Sequence, residues 1–529
     1  MTLRQAGAYI DDQALLAAHK AAKMARLSCE IGGETWKEKI ECKFFPKFTI
    51  FFDGTMNNLN TSPDNKSNVA RLFLTAYDDR GKEYYPRYIT GVGTLYEPKD
   101  NPEVGVDKGG NMGAGFGKGG DMRLKDAILF IEKTLGRNYT TAIAHIKMLR
   151  VDVIGFSRGA TLARAFVNKL LNEKSGTDSN GRLVYKLDYY GMTVPLEIGF
   201  LGLFDTVASV GGPQLHADWA KDLRVPSAVK RCVHLVAAHE VRKAFPLDSI
   251  QYKNKYPDNS EEVVYPGVHS DVGGGYYPNE QGRSLEYTKI PLREMYLEAL
   301  KAGVGLQSLT EMTKEYRGEF TPENRVELVE KYKSYMEYVK APIGAKKTSD
   351  AKAKEDNLVS LILAHRPVFF RWHADVEHSG DKTRLFSGLA KEADCSACLS
   401  APAERIKVEK NEKLWASRNM KDATGQGKEL VTEHRRLANR IPFIKEPYER
   451  IGNENVDRPR TDYEELIYSA WTNPNPLPKY IIEFFEEYVH DSVAAFDSWP
   501  CALYDPRKIF MHEDTVLAQR TSPETDAIA

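Results

Sequence analysis

Cysteine is scarce in this chain. Its 529 residues hold six, Cys29, Cys42, Cys232, Cys395, Cys398 and Cys501, too few and too scattered for the disulfide framework of a small secreted scaffold. Net charge is nearly absent as well. Lys and Arg number 73 against 74 Asp and Glu, a formal charge of -1, which excludes a strongly basic nucleic-acid binder and an acidic disordered tail protein. Long apolar runs are missing: the two best, around 44–52 and 198–210, are interrupted by Lys47 and Asp205, so no transmembrane helix is predicted. Asp11 and Asp12 stand where a secretory signal needs an apolar stretch. The expectation is a product made in the cytoplasm, with any export using a route that reads no cleaved signal. No internal repeat and no low-complexity tract is found.

What is present is ordinary globular composition, 42% hydrophobic and 28% charged, in a chain long enough to bury a sizeable core. Length alone predicts one large domain with insertions or two to four small ones. Residues 9–28 read as a helix with Leu15, Leu16, Ala18, Ala22 and Met24 on its apolar stripe. Residues 44–53 read as a buried strand ending at Asp53-Gly54-Thr55, and 91–120 as a glycine-rich loop. Helices are predicted over 122–135 and 139–148. Then LRVDVIGF, a compact β-branched run, leads through Ser157-Arg158-Gly159 into ATLARAFVNKLL, where Ala163, Phe166, Val167 and Leu170 recur at helical spacing. A hairpin turn at 177–182, a buried strand at 194–204 and a third strand ending near His239 follow. Strands alternating with helices predict an α/β fold with a mostly parallel sheet. Beyond Gly275 the pattern turns helical and charged: a helix at 291–302, charged helical stretches at 309–360 and 403–440, an amphipathic helix at 478–497 and a frayed tail after Thr515.

Gly155-Phe156-Ser157-Arg158-Gly159 matches G-x-S-x-G in the strand–turn–helix setting that a nucleophile elbow requires. A serine at the tip of so sharp a turn leaves no room for side chains two residues to either side. The following helix aims its N-terminus at the serine, where backbone N–H groups and the helix dipole favour negative charge. The competing reading is a plain Gly-Ser turn before a core helix. A serine nucleophile needs a base, and the base an orienting acid, in the chain order Ser, Asp or Glu, His for this kind of fold. Asp205, just past the 194–204 strand, stands where α/β sheets place functional residues, although a carboxylate at a strand end often only caps a helix. His269, beside the run Gly273-Gly274-Gly275, is the first candidate base; a flexible hinge with an ordinary histidine is its alternative. His239 and His490 remain rival bases, with Asp271 and Asp491 as rival acids. Oxyanion donors are expected from the backbone N–H of Arg158 and from the turn carrying Gly54 and Thr55. Asp53 is read as a brace of that turn.

Other motifs fail. Phe51-Phe52-Asp53-Gly54-Thr55 lacks the nucleophilic Asp of an aspartyl phosphatase. The glycines at 115, 117 and 120 follow no strand, so no dinucleotide site is predicted, and Lys118 is followed by Gly119 rather than Ser or Thr of a Walker loop. His239-Glu240-Val241-Arg242-Lys243 lacks the second histidine of a zinc protease. Cys395-x-x-Cys398 is a lone pair with no visible second pair. His365, His373 and His378 around Phe369, Phe370 and Trp372 are read as a core strand in preference to a membrane-facing stretch. No metal or organic cofactor is called for.

Together the pieces FFDGTMNN from 51, GVGT at 91–94, GAGFGKG at 113–119, GFSRGA at 155–160, LGLFDTV at 201–207 and GVHSDVGGGY at 267–276 resemble the type VI secretion phospholipase effectors, α/β-hydrolase serine lipases. The shared order covers residues 50–277. The resemblance implies a Ser157–Asp205–His269 triad and phospholipase A activity on membrane phospholipid. It also implies delivery to the periplasm or membrane of a neighbouring bacterium, a secretion-needle spike protein as carrier and a cognate immunity protein. The expected organisation is an N-terminal helical segment (1–43), an α/β-hydrolase core (44–285), a charged helical lid or docking region (286–460) and a C-terminal helix and tail (461–529). Two readings compete with the lipase: a soluble carboxylesterase or thioesterase, and a non-catalytic hydrolase-fold protein that binds a secretion partner.

Overall fold

The computed structural model describes residues 3–31, 43–61, 64–109, 116–140, 142–210, 215–216, 218–253, 255–340, 357–387, 423–451, 454–494 and 507–511. The strands, in chain order, are β1 (Leu3–Gln5), β2 (Lys47–Phe52), β3 (Tyr84–Ile89), β4 (Leu149–Phe156), β5 (Ser175–Thr177), β6 (Leu183–Leu187), β7 (Met192–Phe204), β8 (Cys232–Ala237), β9 (Leu247–Asp248), β10 (Ser260–Tyr265), β11 (Tyr448–Ile451), β12 (Glu454–Asp457) and β13 (Ile509–Phe510). The main sheet runs β1-β10-β8-β7-β4-β2-β3 with every neighbour parallel, and the β5–β6 hairpin joins β7 antiparallel. This is the mostly parallel α/β sheet that the strand–helix alternation predicts.

Its central strands are apolar on both sides because both faces are covered. On β2, Phe48, Ile50 and Phe52 enter one core while Phe51 enters the other; on β4, Val151 and Val153 oppose Ile154 and Phe156. The first core is closed by the helices Phe116–Tyr139 and Arg158–Lys174, through Leu124, Ile131, Ala163 and Phe166. The second is closed by Lys289–Lys301, Arg325–Lys340, Arg366–Ser379 and Lys479–Tyr488, through Leu292, Tyr335, Val368 and Phe484. Residues from beyond 286 therefore form one wall of the core itself.

Several expectations change. The second predicted helix, 139–148, is a single tight turn at Ile143–His145, because the first helix already runs to Tyr139 and β4 starts at Leu149. The aromatic segment around Phe369 is the helix Arg366–Ser379, not a strand: Pro367 occupies its first turn, where a missing N–H costs nothing. The amphipathic helix stops at Tyr488, so His490 lies past its end. The N-terminal segment is not helix alone, since Leu3–Gln5 extends the sheet edge beside β10 before the helix Asp12–Ile31. Residues 113–115, 341–356, Cys395, Cys398, 403–422 and the tail after Thr515, for which the sequence raises expectations, lie outside the described residues. Among those described, no helix is long and apolar enough to cross a membrane.

Candidate functional site

Five parallel strands deliver their carboxyl ends to one edge: β2 to Asp53, β4 to Ser157, β7 to Asp205, β8 to His239 and β10 to the loop before His269. Open α/β sheets bind and react at that edge. Ser157 stands at the tip of the β4 turn with φ 57° and ψ −125°, a left-handed conformation that costs a non-glycine residue about 1–3 kcal/mol. The turn is held by its own backbone. Ser157 N–H donates to Phe204 O at 3.0 Å, and Ser157 O accepts from the N–H groups of Ala160 and Thr161 at 3.0 and 3.2 Å. Contact explains both glycines: a Cβ on Gly155 would sit 2.3 Å from Gly159 O, and one on Gly159 would sit 2.3 Å from the carbonyls of Phe52 and Asp53.

Asp205 and His269 meet across 64 residues of sequence, with His269 Nδ1 2.5 Å from Asp205 Oδ2. Both are buried. Asp205 Oδ1 also accepts from Ala237 N–H at 2.9 Å, and the Arg507 guanidinium grips both oxygens, Nη1 to Oδ1 at 2.8 Å and Nη2 to Oδ2 at 2.7 Å. Burial pushes the Asp205 carboxyl up, but the Arg507 charge and the His269 contact outweigh it and hold the group well below the usual carboxylate range. Burial dominates at His269 and lowers it from its ordinary 6.5, with Asp205 opposing. The imidazole is therefore neutral near pH 7, with Nε2 as its proton acceptor once Nδ1 donates to Asp205. Its ring packs against Phe156 at 4.7 Å and edge-on to Phe245 at 5.0 Å. Among the described residues no hydrogen bond joins Ser157 Oγ to the imidazole; contacts of this type tighten when substrate binds.

The first turn is braced as the sequence suggests, with one correction. Asp53 is buried and accepts from Ser67 Oγ at 2.5 Å, Tyr88 OH at 2.5 Å and Gly54 N–H at 2.7 Å; burial pushes it up to about 6 against those donors. The Gly54 amide is thus committed to Asp53, which removes it as an oxyanion donor. Thr55 N–H has no acceptor among the described residues, and Thr55 Oγ1 accepts from Arg158 Nε at 2.6 Å. That bond ties the turn after β2 to the turn after β4. Burial lowers the Arg158 guanidinium to about 9.

The rivals are placed elsewhere. His490 and Asp271 pair with each other: Nδ1 lies 2.6 Å from Asp271 Oδ1, and His490 N–H donates to Oδ2 at 3.2 Å. Asp271 Oδ2 also accepts Val268 N–H at 2.9 Å, and the His490 ring stacks on Tyr276 at 3.9 Å. His239 Nδ1 accepts from Gly267 N–H at 2.8 Å, so Nε2–H faces Tyr335 OH at 3.0 Å, and that hydroxyl reaches His365 Nδ1 at 3.0 Å. Asp491 caps the backbone of Val493 and Ala494. A pocket is lined by His239, Val268, Phe369, His373, His490 and Ser492, and neither Ser157 nor His269 lines it.

Two contributors went unseen in the sequence. Arg507 carries no motif; only the fold brings it to Asp205. Glu240, part of the failed zinc-protease pattern, forms a buried pair with Arg242 at 2.8 Å and accepts from His269 N–H at 3.3 Å. The spacing of Glu240 and Arg242 was its only signal. Among the described residues no group of three His, Cys, Asp or Glu side chains is arranged to hold a metal ion.

The fold is that of an α/β protein with a mostly parallel sheet. Residues 47–176 and 174–298 match the model of the type VI secretion Tle1-like phospholipase effector catalytic domain. No curated protein matches the chain. Among solved structures, an uncharacterized protein from Pseudomonas aeruginosa is 21% identical with a TM-score of 0.63, over 96% of this chain and 84% of that one. That likeness shows the fold. The structure of the Tle1 effector bound to the VgrG spike from the type 6 secretion system aligns at 20% identity and a TM-score of 0.39, over 57% of this chain and 82% of that one.

Proposed function

We propose that this chain is an antibacterial phospholipase A that cleaves membrane phospholipid esters with Ser157, His269 and Asp205. The observation that carries the reading is the buried Asp205–His269 contact at the same sheet edge as the strained Ser157 turn. Ser157 Oγ attacks the ester carbonyl while His269 Nε2 takes its proton, and Asp205 holds the imidazole and stabilises the imidazolium. The N–H groups of Arg158 and Thr55 receive the oxyanion. The tetrahedral intermediate collapses, His269 returns the proton to the leaving alcohol, and an acyl-serine remains. Water, activated by the same histidine, releases the fatty acid.

The match to an effector family's catalytic-domain model supports delivery by type VI secretion, with a spike protein as carrier and an immunity protein in the producer. The test is fatty-acid release from phospholipid vesicles beside hydrolysis of a soluble ester, for wild type and Ser157→Ala. Release from vesicles that Ser157→Ala abolishes supports the lipase. Activity on soluble esters alone favours a carboxylesterase or thioesterase. No turnover, with no labelling of Ser157 by a fluorophosphonate, favours a binding protein.

A further inference from the structure

We propose that Arg507 is a positioning residue of the catalytic unit, and that the strand β13 completes the site by seating its guanidinium on the acid. This rests on the serine-hydrolase reading above and adds a component to it.

The acid of such a unit must hold one imidazole tautomer in one orientation. Backbone N–H donors can do this alone, and here Ala237 supplies one. Arg507 adds a two-pronged, charge-assisted grip on the same carboxylate, with both side chains fully buried. Such a fork fixes the plane of a carboxylate, which a single donor does not. Rotation of Asp205 about its last bond would break two charge-assisted bonds at once, so Oδ2 stays aimed at His269 Nδ1.

The same guanidinium holds the other side of the imidazole. Arg507 Nε donates to Phe245 O at 2.7 Å, and the Phe245 ring packs edge-on against His269. One side chain therefore sets two of the surfaces that the base touches. It arrives from 302 residues away, and the arrival is secured by main chain: β13 pairs parallel with β9, Ile509 to Leu247 and Phe510 to Asp248. Leu247 N–H donates to Lys508 O at 2.8 Å, and Ser249 N–H to Phe510 O at 3.0 Å. Asp248, on the strand so covered, accepts Ala208 N–H at 2.8 Å, three residues past Asp205. The strap and the acid loop are thus one hydrogen-bonded unit.

An electrostatic consequence separates positioning from plain support. The titratable and charged groups facing this centre are Asp205, His269, Arg242, Glu240 and Arg507. The Arg507 charge offsets part of the Asp205 charge felt by the imidazole. Removing it leaves Asp205 to favour the imidazolium, so the base titrates at higher pH.

The test uses the full chain as wild type, Ser157→Ala, Arg507→Ala and Arg507→Lys. Each is assayed on a soluble p-nitrophenyl ester and on phosphatidylethanolamine–phosphatidylglycerol vesicles, with kcat and KM separated, kcat/KM followed against pH and folding checked by circular dichroism. Arg507→Ala is expected to lower kcat on the order of 10²-fold on both substrates with KM little changed, and to move the acid limb of kcat/KM to higher pH. Arg507→Lys keeps the charge without the fork. It is expected to hold the acid limb in place while recovering only part of kcat. A folded Arg507→Ala with wild-type kcat and an unmoved acid limb overturns the proposal. If Arg507→Ala does not fold, Arg507→Lys decides, and wild-type kcat in that variant overturns it. Activity that survives Ser157→Ala sinks the serine reading itself, whatever Arg507 does.

Discussion

Two buried aspartate–histidine pairs lie side by side in this protein, and their contacts are nearly the same. His269 meets Asp205 at 2.5 Å and His490 meets Asp271 at 2.6 Å, each through Nδ1. Their surroundings differ. Asp205 takes the Arg507 fork as well, and its histidine lies against Phe156, the neighbour of Ser157. Asp271 spends its second oxygen on the N–H groups of Val268 and His490, which pins the loop that carries His269, and its histidine stacks on Tyr276. An aspartate–histidine hydrogen bond is therefore no signature of catalysis by itself. Under the proposed serine mechanism a nearby nucleophile makes the difference, and that mechanism gives the first pair to chemistry and leaves the second to architecture.

The largest expected effect would break that assignment most directly. Ser157→Ala and His269→Ala should each lower kcat for ester hydrolysis by about 10⁶-fold, while His490→Ala stays within about tenfold, because it reaches the base only through loop position. Steady-state kinetics on a soluble ester decides. Activity that survives His269→Ala and disappears in His490→Ala would exchange the two roles. The acids come next: Asp205→Asn should cost about 10⁴-fold in kcat by favouring the wrong imidazole tautomer, and Asp271→Asn far less. Equal losses in those two would erase the distinction.

How much of this was legible in the sequence follows from how local each signal is. The elbow was readable because strand, turn and helix are contiguous; Gly155 is fixed by a contact within that turn, whereas Gly159 is fixed by the carbonyls of Phe52 and Asp53, far off in sequence. The strands carrying Asp205 and His239 were readable as apolar runs. β1, β3 and β10 were not, because Arg4, Arg87 and Glu262 interrupt them; each finds a partner only in the fold, Glu261, Asp126 and His234 respectively. The aromatic stretch at 366–379 misled because a helix buried on most sides loses its polar face. Gly54 misled because its amide looks open until Asp53 is seen to take it. Arg507 had no signal, since one arginine in a polar segment says nothing about a carboxylate 302 residues earlier.

Stability should rank the two pairs in the opposite order from activity. His269→Ala leaves Asp205 with the Arg507 fork and Ala237 N–H. His490→Ala strips Asp271 Oδ1 of the imidazole and removes the ring stacked on Tyr276. A buried acceptor left unsatisfied costs about 1–3 kcal/mol, so urea unfolding should show that loss for His490→Ala and a smaller one for His269→Ala. A larger loss in His269→Ala would mean that the first pair carries structural weight as well.

The smallest effect is a displacement along the pH axis, and it tests the electrostatics of the first pair alone. In the proposed mechanism the base must be neutral to accept the serine proton, so kcat/KM should rise as pH climbs through the His269 titration in the free enzyme. Burial lowers that titration from 6.5 and Asp205 raises it in part. The acid limb should therefore have its midpoint below 6.5. In Asp205→Asn the raising influence is gone, so the residual activity should titrate at still lower pH. The linked stability has a definite sign. Between the lowered folded value and 6.5 the unfolded chain binds more protons at this histidine, so its contribution to stability falls as pH drops through that window. His269→Ala should flatten that part of the stability profile, read by urea unfolding at several pH values. An acid limb that sits above 6.5 would show instead that the Asp205 charge, even gripped by Arg507, outweighs burial at the base.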